Sequence, residues 1–172
     1  MKKWLSLALL LVASPGLAER LKFDHRLYPP LQQVLDRGGT EMVDFNNSNP
    51  QRLVDLIAIR GSSAQNWTEA LEIISIVRPG GVVDAKDWMA RLQSAAEARC
   101  PAQFAILAQD AQSITFERRS PDCPAERSSY GLYRLVTGKK SWFQLSVLVK
   151  DDLAEPARRQ WLALLASAHL DR

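Results

Sequence analysis

Two cysteines, two histidines and a scatter of acidic and hydroxyl side chains are the residues of this 172-residue chain whose types lend themselves to chemistry. Cys100 and Cys123 are its only cysteines. In an oxidising compartment an even count favours a structural disulfide. Closing the loop between them stabilises a fold by roughly 3 kcal/mol on the chain-entropy model. Each precedes a proline, Pro101 and Pro124, which keeps the preceding residue extended and suits a loop-borne anchor. The other cysteine chemistries lack their partners. A nucleophilic thiol needs a nearby histidine, and His25 and His169 are both far away in sequence. A zinc site needs more ligands at close spacing, and a thioredoxin-type pair needs Cys-x-x-Cys. No metal and no cofactor is expected.

The remaining chemistry is thinner. Asp24-His25 has the types of a base and its orienter, but it lies close to the expected mature N-terminus, where order is often poor. His169 falls in the last turn of the expected final helix, where a cation suits the dipole. Ser62-Ser63 brings no base with it, and Asn66-Trp67-Thr68 matches a glycosylation sequon that a bacterial-type leader leaves idle. Gly-x-Ser-x-Gly, His-Glu-x-x-His, the P-loop and Gly-x-Gly-x-x-Gly are all absent. No catalytic residue is assigned and the chain is expected not to be an enzyme. Most tryptophans are expected in the core. A partner-binding surface, if one is built from aromatics, is expected at Trp67 and Trp142 together with the Lys139-Lys140 turn.

The N-terminus reads in three zones. Lys2 and Lys3 are followed by an apolar run at residues 5–12, a break at Ser14-Pro15-Gly16, and small residues at Gly16 and Ala18. That order is a secretory signal, expected to be cut after Ala18, and it places the mature chain in the periplasm or outside the cell. The apolar run is well short of the roughly 20 residues that span a bilayer. No later run is long enough either, so no membrane insertion of the mature chain is expected. Residues 19–172 have a normal single-domain length. The formal charge of +3 includes Lys2 and Lys3, so the mature chain is close to neutral and no nucleic acid is expected as a partner. The pairs Arg118-Arg119, Lys139-Lys140 and Arg158-Arg159 read as solvated turns or helix faces.

The elements that must position these residues follow from periodicity and breakers. Tyr28-Pro29-Pro30 forces extended backbone, and residues 31–36 suit a short helix ended by Gly38-Gly39. Residues 19–49 as a whole are expected to be partly extended or loosely ordered. Strands are expected over residues 41–46, 53–60 and 67–77. Asp84 suits a helix N-cap, and Trp88, Leu92, Ala95, Ala96 and Arg99 recur at helical spacing up to Pro101. Residues 104–108, 113–116, 130–136 and 142–149 read as strands, the last with Phe143, Leu145, Val147 and Val149 on one wholly apolar face. A final helix starts near Asp151-Asp152, with Leu153, Ala157, Trp161, Leu164, Leu165 and Ala168 on one face. The expected architecture is a single domain of class α+β, one antiparallel sheet packed with two main helices.

Asn66-Trp67-Thr68-Glu69, the cysteine pair, the Arg134–Gly138 turn of a late hairpin and Trp161 in a C-terminal helix together resemble a family of secreted proteobacterial proteins of unknown function. The element order is similar to the PsbP-like α/β/α sandwich, used by small exported accessory proteins. The resemblance spans roughly residues 50–172 and implies a fold and a compartment, with no reaction attached.

Three activities compete on these grounds. The leading one is a non-enzymatic accessory or protein-interaction domain whose partner is a periplasmic or envelope protein. The alternative is a module that holds a small or lipid-like ligand between helix and sheet. The third is a hydrolase using Asp24, His25 and a distal serine.

Overall fold

The computed structural model describes residues 19–37, 42–44, 51–61, 63, 65–77, 83–151 and 153–171. The expected leader at residues 1–18 lies outside them, as do the expected turns at 38–39, 46–50 and 79–81.

The N-terminal segment is built into the fold. Strand β1 (Arg20–Lys22) leads through a 3-10 turn (His25–Leu27) into helix α1 (Pro29–Asp36). Pro29 and Pro30 occupy the first turn of α1, where a missing N–H costs nothing and the fixed φ is already helical. Tyr28, Leu31 and Val34 are buried.

Strands β2 (Met42–Asp44), β3 (Arg52–Gly61) and β4 (Trp67–Val77) precede helix α2 (Ala85–Glu97). Four strands follow, β5 (Gln103–Gln109), β6 (Ser113–Arg119), β7 (Tyr130–Thr137) and β8 (Ser141–Val149). Helix α3 (Glu155–Ser167) and strand β9 (His169–Asp171) complete the described order. Seven strands form one sheet in the order β2-β3-β4-β8-β7-β6-β5, and every neighbouring pair is antiparallel. β1 and β9 make a separate antiparallel pair.

The expected single sheet with two main helices is thus corrected, among the described residues, to two sheets and three α-helices. The short elements account for the difference. The short helix expected over residues 31–36 forms as α1 and packs as a third helix, whereas β1 and β9, three residues each, are too brief to display a period and fold because the larger elements give them something to pack on. The final helix also differs from expectation. It starts at Glu155, with Pro156 in its first turn, and Ala168 is already extended, so His169 belongs to β9 rather than to a helix turn.

Each face of the large sheet carries its own core. On the first, α1 and α3 bury Tyr28, Leu31, Trp161, Leu164 and Leu165 against Leu71, Leu132, Leu145 and Val147. Each fully buried aliphatic side chain of this kind contributes roughly 1.5–3 kcal/mol. On the second face α2 packs Ala85, Met89, Trp88 and Leu92 against Ile114, Phe116, Tyr133 and Leu135. Asp84 caps α2, accepting from Lys86 N at 2.7 Å. Trp142 joins Val54 and Ile74 in a third cluster, with Ile76 and Trp88 packed against it. Strand β8 therefore has both faces covered. Its Leu145, Val147 and Val149 face the first core, while Trp142, Gln144 and Ser146 lie under α2 and are buried as well.

Candidate functional site

Three glutamates of the sheet, Glu69, Glu117 and Glu72, gather polar side chains around them. Glu69 on β4 is buried in the first core. It accepts hydrogen bonds from Tyr28 Oη (2.5 Å) and Trp161 Nε1 (2.6 Å), and Arg60 Nε pairs with it at 3.0 Å. It ties β1–α1, β3, β4 and α3 together. Burial, and then the Glu69 carboxylate, push the Tyr28 hydroxyl well above the usual tyrosine range. Glu117 on β6 accepts from Arg158 Nη2 (2.6 Å), Arg119 Nε (2.5 Å) and Tyr130 Oη (3.1 Å). Burial alone would raise its carboxyl, but these three donors outweigh burial and hold it below the usual range. Burial also pushes the Tyr130 hydroxyl up, to about 12. Both glutamates have arginine counter-ions and aromatic donors from the chain itself, and both read as structural.

The third, Glu72 on β4, lies on the opposite face, at the floor of a cleft of about 440 Å³ between α2 and the sheet. The pairing registers place Glu72, Ser146, Tyr133 and Phe116 in one row across β4, β8, β7 and β6. Leu92, Ala95 and Ala96 of α2 form one wall and Phe104, Phe116 and Leu148 line the apolar remainder. The Phe116 and Tyr133 rings stack with centroids 4.8 Å apart. Tyr133 has room to do so because its neighbour two residues back is Gly131. A side-chain Cβ there would sit 2.6 Å from Tyr133 Cε2 and 2.8 Å from its hydroxyl.

The polar floor is directional. Trp88 Nε1 donates to Gln144 Oε1 (3.2 Å), Gln144 Nε2 donates to Ser146 Oγ (2.8 Å), and Ser146 Oγ donates to Glu72 Oε1 (3.1 Å). Every step points its hydrogen toward the carboxylate. Burial raises the Glu72 carboxyl above the usual glutamate range, and the Ser146 hydrogen bond and the Arg52 charge offset burial only in part.

The disulfide closes one end of the cleft. Cys100, just beyond α2, and Cys123, in the β6–β7 loop, have their Cα atoms 5.6 Å apart, and both line the cavity. Arg118 holds the same loop, with Nη2 donating to the Ser128 carbonyl (2.6 Å) and Oγ (2.7 Å). Its Nε is buried without a hydrogen-bond partner. Arg99, Glu126 and Arg127 complete the lining at this end.

The structure separates the residues expected to form a partner surface. Trp142 is 3% exposed and packs against Trp88 with the rings tilted by 43° and their centroids 4.1 Å apart. It pairs with Ile76 near the end of β4, whereas Trp67 starts that strand. Trp67 instead lines the cleft, with Lys150 Nζ 4.7 Å from its ring centroid. Lys139 and Lys140 are exposed in the β7–β8 turn, where Glu19 accepts from the backbone N–H groups of Lys139, Lys140 and Ser141 at 2.7, 3.1 and 3.0 Å. Trp67, Trp142 and this turn do not form one surface. Asp24 and His25 do not pair either. Asp24 accepts from Arg26, and His25 Nδ1 meets Gln32 Oε1.

Glu72, Gln144, Ser146 and Tyr133 are not among the site residues expected from sequence. The available signal was a carboxylate set in the aliphatic run Leu71–Ile74 and two polar residues alternating on β8, which on their own resemble a solvated face. No group of three or more metal-ligating side chains occurs among the described residues, and no helix among them is long and apolar enough to cross a membrane.

No family model matches the chain and no curated protein matches it. Among solved structures, the chain is similar to the solution structure of cyanobacterial PsbP (CyanoP) from Synechocystis sp. PCC 6803. The two are 16% identical, the match covers 94% of this chain and 99% of that one, and the TM-score is 0.49. This is a weak likeness.

Proposed function

We propose that the protein is a non-enzymatic accessory domain of the extracytoplasmic space that binds a small ligand in the cleft between α2 and the sheet. The carrying observation is the cleft itself. Its volume of about 440 Å³ falls in the range of small-molecule sites, and such sites combine apolar walls with a few convergent polar groups. Leu92, Phe104, Phe116 and Leu148 supply the walls, and Glu72, Gln144 and Tyr133 supply the polar groups. The disulfide at the cleft rim and the leader-like N-terminal sequence support an oxidising compartment.

The test is a thermal-shift survey of the oxidised full chain, recovered from an exporting host, against small amines, acids, peptides and lipids. Ala96→Trp serves as a variant whose cleft is filled. A ligand that stabilises the wild type and leaves the filled variant unmoved supports the assignment. If every stabilising compound acts equally on both, the cleft is not the binding site.

One observation favours protein interaction as a second reading. β5 is the edge strand of the large sheet, its seven residues carry no charge, and Ile106 and Leu107 are 55% and 39% exposed. An uncharged apolar edge is a template for strand addition, here by an extended, uncharged segment of a periplasmic or envelope protein. Capture of one such protein by the wild type but not by Ile106→Lys supports it, and equal capture by both refutes it.

A further inference from the structure

We infer that the cleft takes a short peptide by its free amino terminus, with the ammonium seated against Glu72 and the C-terminal carboxylate toward Arg118 and Arg127. This rests on the reading of the cleft as the binding site and adds the chemistry of what fills it.

Three carboxylates of the sheet differ in the cations that meet them. Glu69 and Glu117 are buried by the sheet and each is met by an arginine, at 3.0 Å and 2.6 Å respectively. Glu72 is largely removed from water too, yet among the described residues it makes no ion pair and has one hydrogen-bond donor, Ser146 Oγ. Moving a carboxylate out of water without a counter-ion is costly. The chain supplies a contacting arginine at two of the three sites, whereas at the one that opens into a cavity only the charge of Arg52 acts, from beyond ion-pair distance, and it offsets burial only in part. A ligand cation completes the third.

The floor leaves little else to recognise. The Gln144 carbonyl is taken by Trp88, and the Ser146 hydroxyl already both donates and accepts. Beside the Tyr133 hydroxyl, which can donate or accept, the charged group left over is the Glu72 carboxylate, whose Oε1 alone accepts from Ser146, so the group that meets it must be a donor. A protonated amine satisfies both the hydrogen bond and the charge.

The far end of the cleft has the opposite sign. Arg99, Arg118 and Arg127 line it against Glu126 alone. A simple amine would be repelled there, whereas a molecule with an anionic second end is held at both. Glu72 on β4 and Arg118 on β6 are three strand spacings apart, roughly 14 Å of sheet, with long side chains reaching inward from each side. An extended chain spans about 3.3–3.6 Å per residue, which suits a peptide of about two to four residues. Its apolar side chains would lie between Leu92 and the stacked Tyr133 and Phe116 rings.

Titration calorimetry of the oxidised full chain with trileucine, N-acetyl-trileucine and trileucine amide tests this. The expected result is binding of trileucine, with N-acetylation weakening it about tenfold or more in the wild type. In Glu72→Gln the free and acetylated peptides should bind within about twofold of each other. Amidation should weaken binding to the wild type and have less effect in Arg118→Gln. Glu72→Gln should also melt no lower than the wild type, because burial disfavours the charged carboxylate it removes, so lost discrimination cannot be ascribed to misfolding. N-acetyl-trileucine binding as tightly as trileucine overturns the inference. So does the absence of trileucine binding while other compounds bind the wild type and not Ala96→Trp, a result that leaves the cleft standing. Trileucine binding unchanged in Ala96→Trp overturns the cleft itself.

Discussion

Replacing Glu69 by alanine removes the one acceptor shared by Tyr28 Oη and Trp161 Nε1. Both donors are almost fully buried, and no other acceptor is bonded to the hydroxyl or the indole N–H. A buried donor left unmade costs about 1–3 kcal/mol, so the two together cost about 4 kcal/mol. Arg60 adds little, because its side chain is 61% exposed and returns to water. At about 2–4 °C per kcal/mol for a domain of this size, the melting temperature should fall by about 8–16 °C. Both donors share Oε1, so Glu69→Gln, which keeps one carbonyl oxygen able to accept both, should lose clearly less than Glu69→Ala. Urea unfolding followed by tryptophan fluorescence reads the change, since Trp161 lies in the affected core. A double-mutant cycle with Tyr28→Phe sharpens it. The two changes should be non-additive by at least about 0.5 kcal/mol, because they remove the same hydrogen bond. A Glu69→Ala protein within about 1 kcal/mol of the wild type, or strict additivity with Tyr28→Phe, would refute the reasoning.

Three further outcomes are expected. Cys100→Ser, or reduction of the bridge across its 23-residue separation, should cost about 3 kcal/mol, roughly 6–12 °C in melting temperature; no change in a scan with and without reductant would remove the bridge from the stability of the fold. Glu19, Asp110 and Glu117 all have carboxyls held below their ordinary values. At Glu19 and Glu117 hydrogen bonds overcome an opposing burial effect, and at Asp110 the Ser113 hydroxyl leads. Their stabilisation is complete above the unfolded values of 4.5 for glutamate and 3.8 for aspartate, and it is lost as pH falls through the lower folded values. The urea midpoint should therefore hold on its upper side and drop in acid, and Glu117→Gln should flatten that drop. Glu72, raised by burial, has the opposite sign, so the advantage of Glu72→Gln should appear as pH rises through the folded value of Glu72 and vanish below the unfolded one. Gly131→Ala should displace the Tyr133 ring at a cost of about 1–3 kcal/mol and reduce cleft binding; a variant with wild-type stability and binding would show that the ring has another place to go.

The large elements were legible because each carries its own period and its own stop. Asp84 announced α2, the alternation of β8 identified its apolar face, and the cysteines were correctly paired from their count. What stayed hidden depends on partners distant in sequence. Gln144 and Ser146 occupy positions that on an antiparallel strand ordinarily face water, and only the crossover of α2 turns them into a floor. Glu69 and Glu72 are three residues apart and look alike in sequence. They point to opposite faces of β4, one into Tyr28 and Trp161 and the other into the cleft, and no local pattern distinguishes a braced carboxylate from an unbraced one. Trp67 and Trp142 were grouped by residue type, and distance along the β4–β8 ladder separates them.

The small β1–β9 sheet bears on how the molecule responds to force. Its register pairs Arg20 with Asp171 and Lys22 with His169, so the outer ends of the two strands lie side by side. Lys22 Nζ meets Asp171 Oδ2 at 2.5 Å, and Asp24 N donates to Ser167 Oγ at 2.9 Å just behind the pair. Tension applied between residues 20 and 171 loads this ladder one rung at a time, like a zipper, instead of shearing all rungs together. The pair should part at low force while the seven-stranded sheet, which lies behind it in the load path, stays closed. In mechanical terms β1 and β9 are a latch, and a pull on both ends of the chain would lengthen the protein before it unfolded the core.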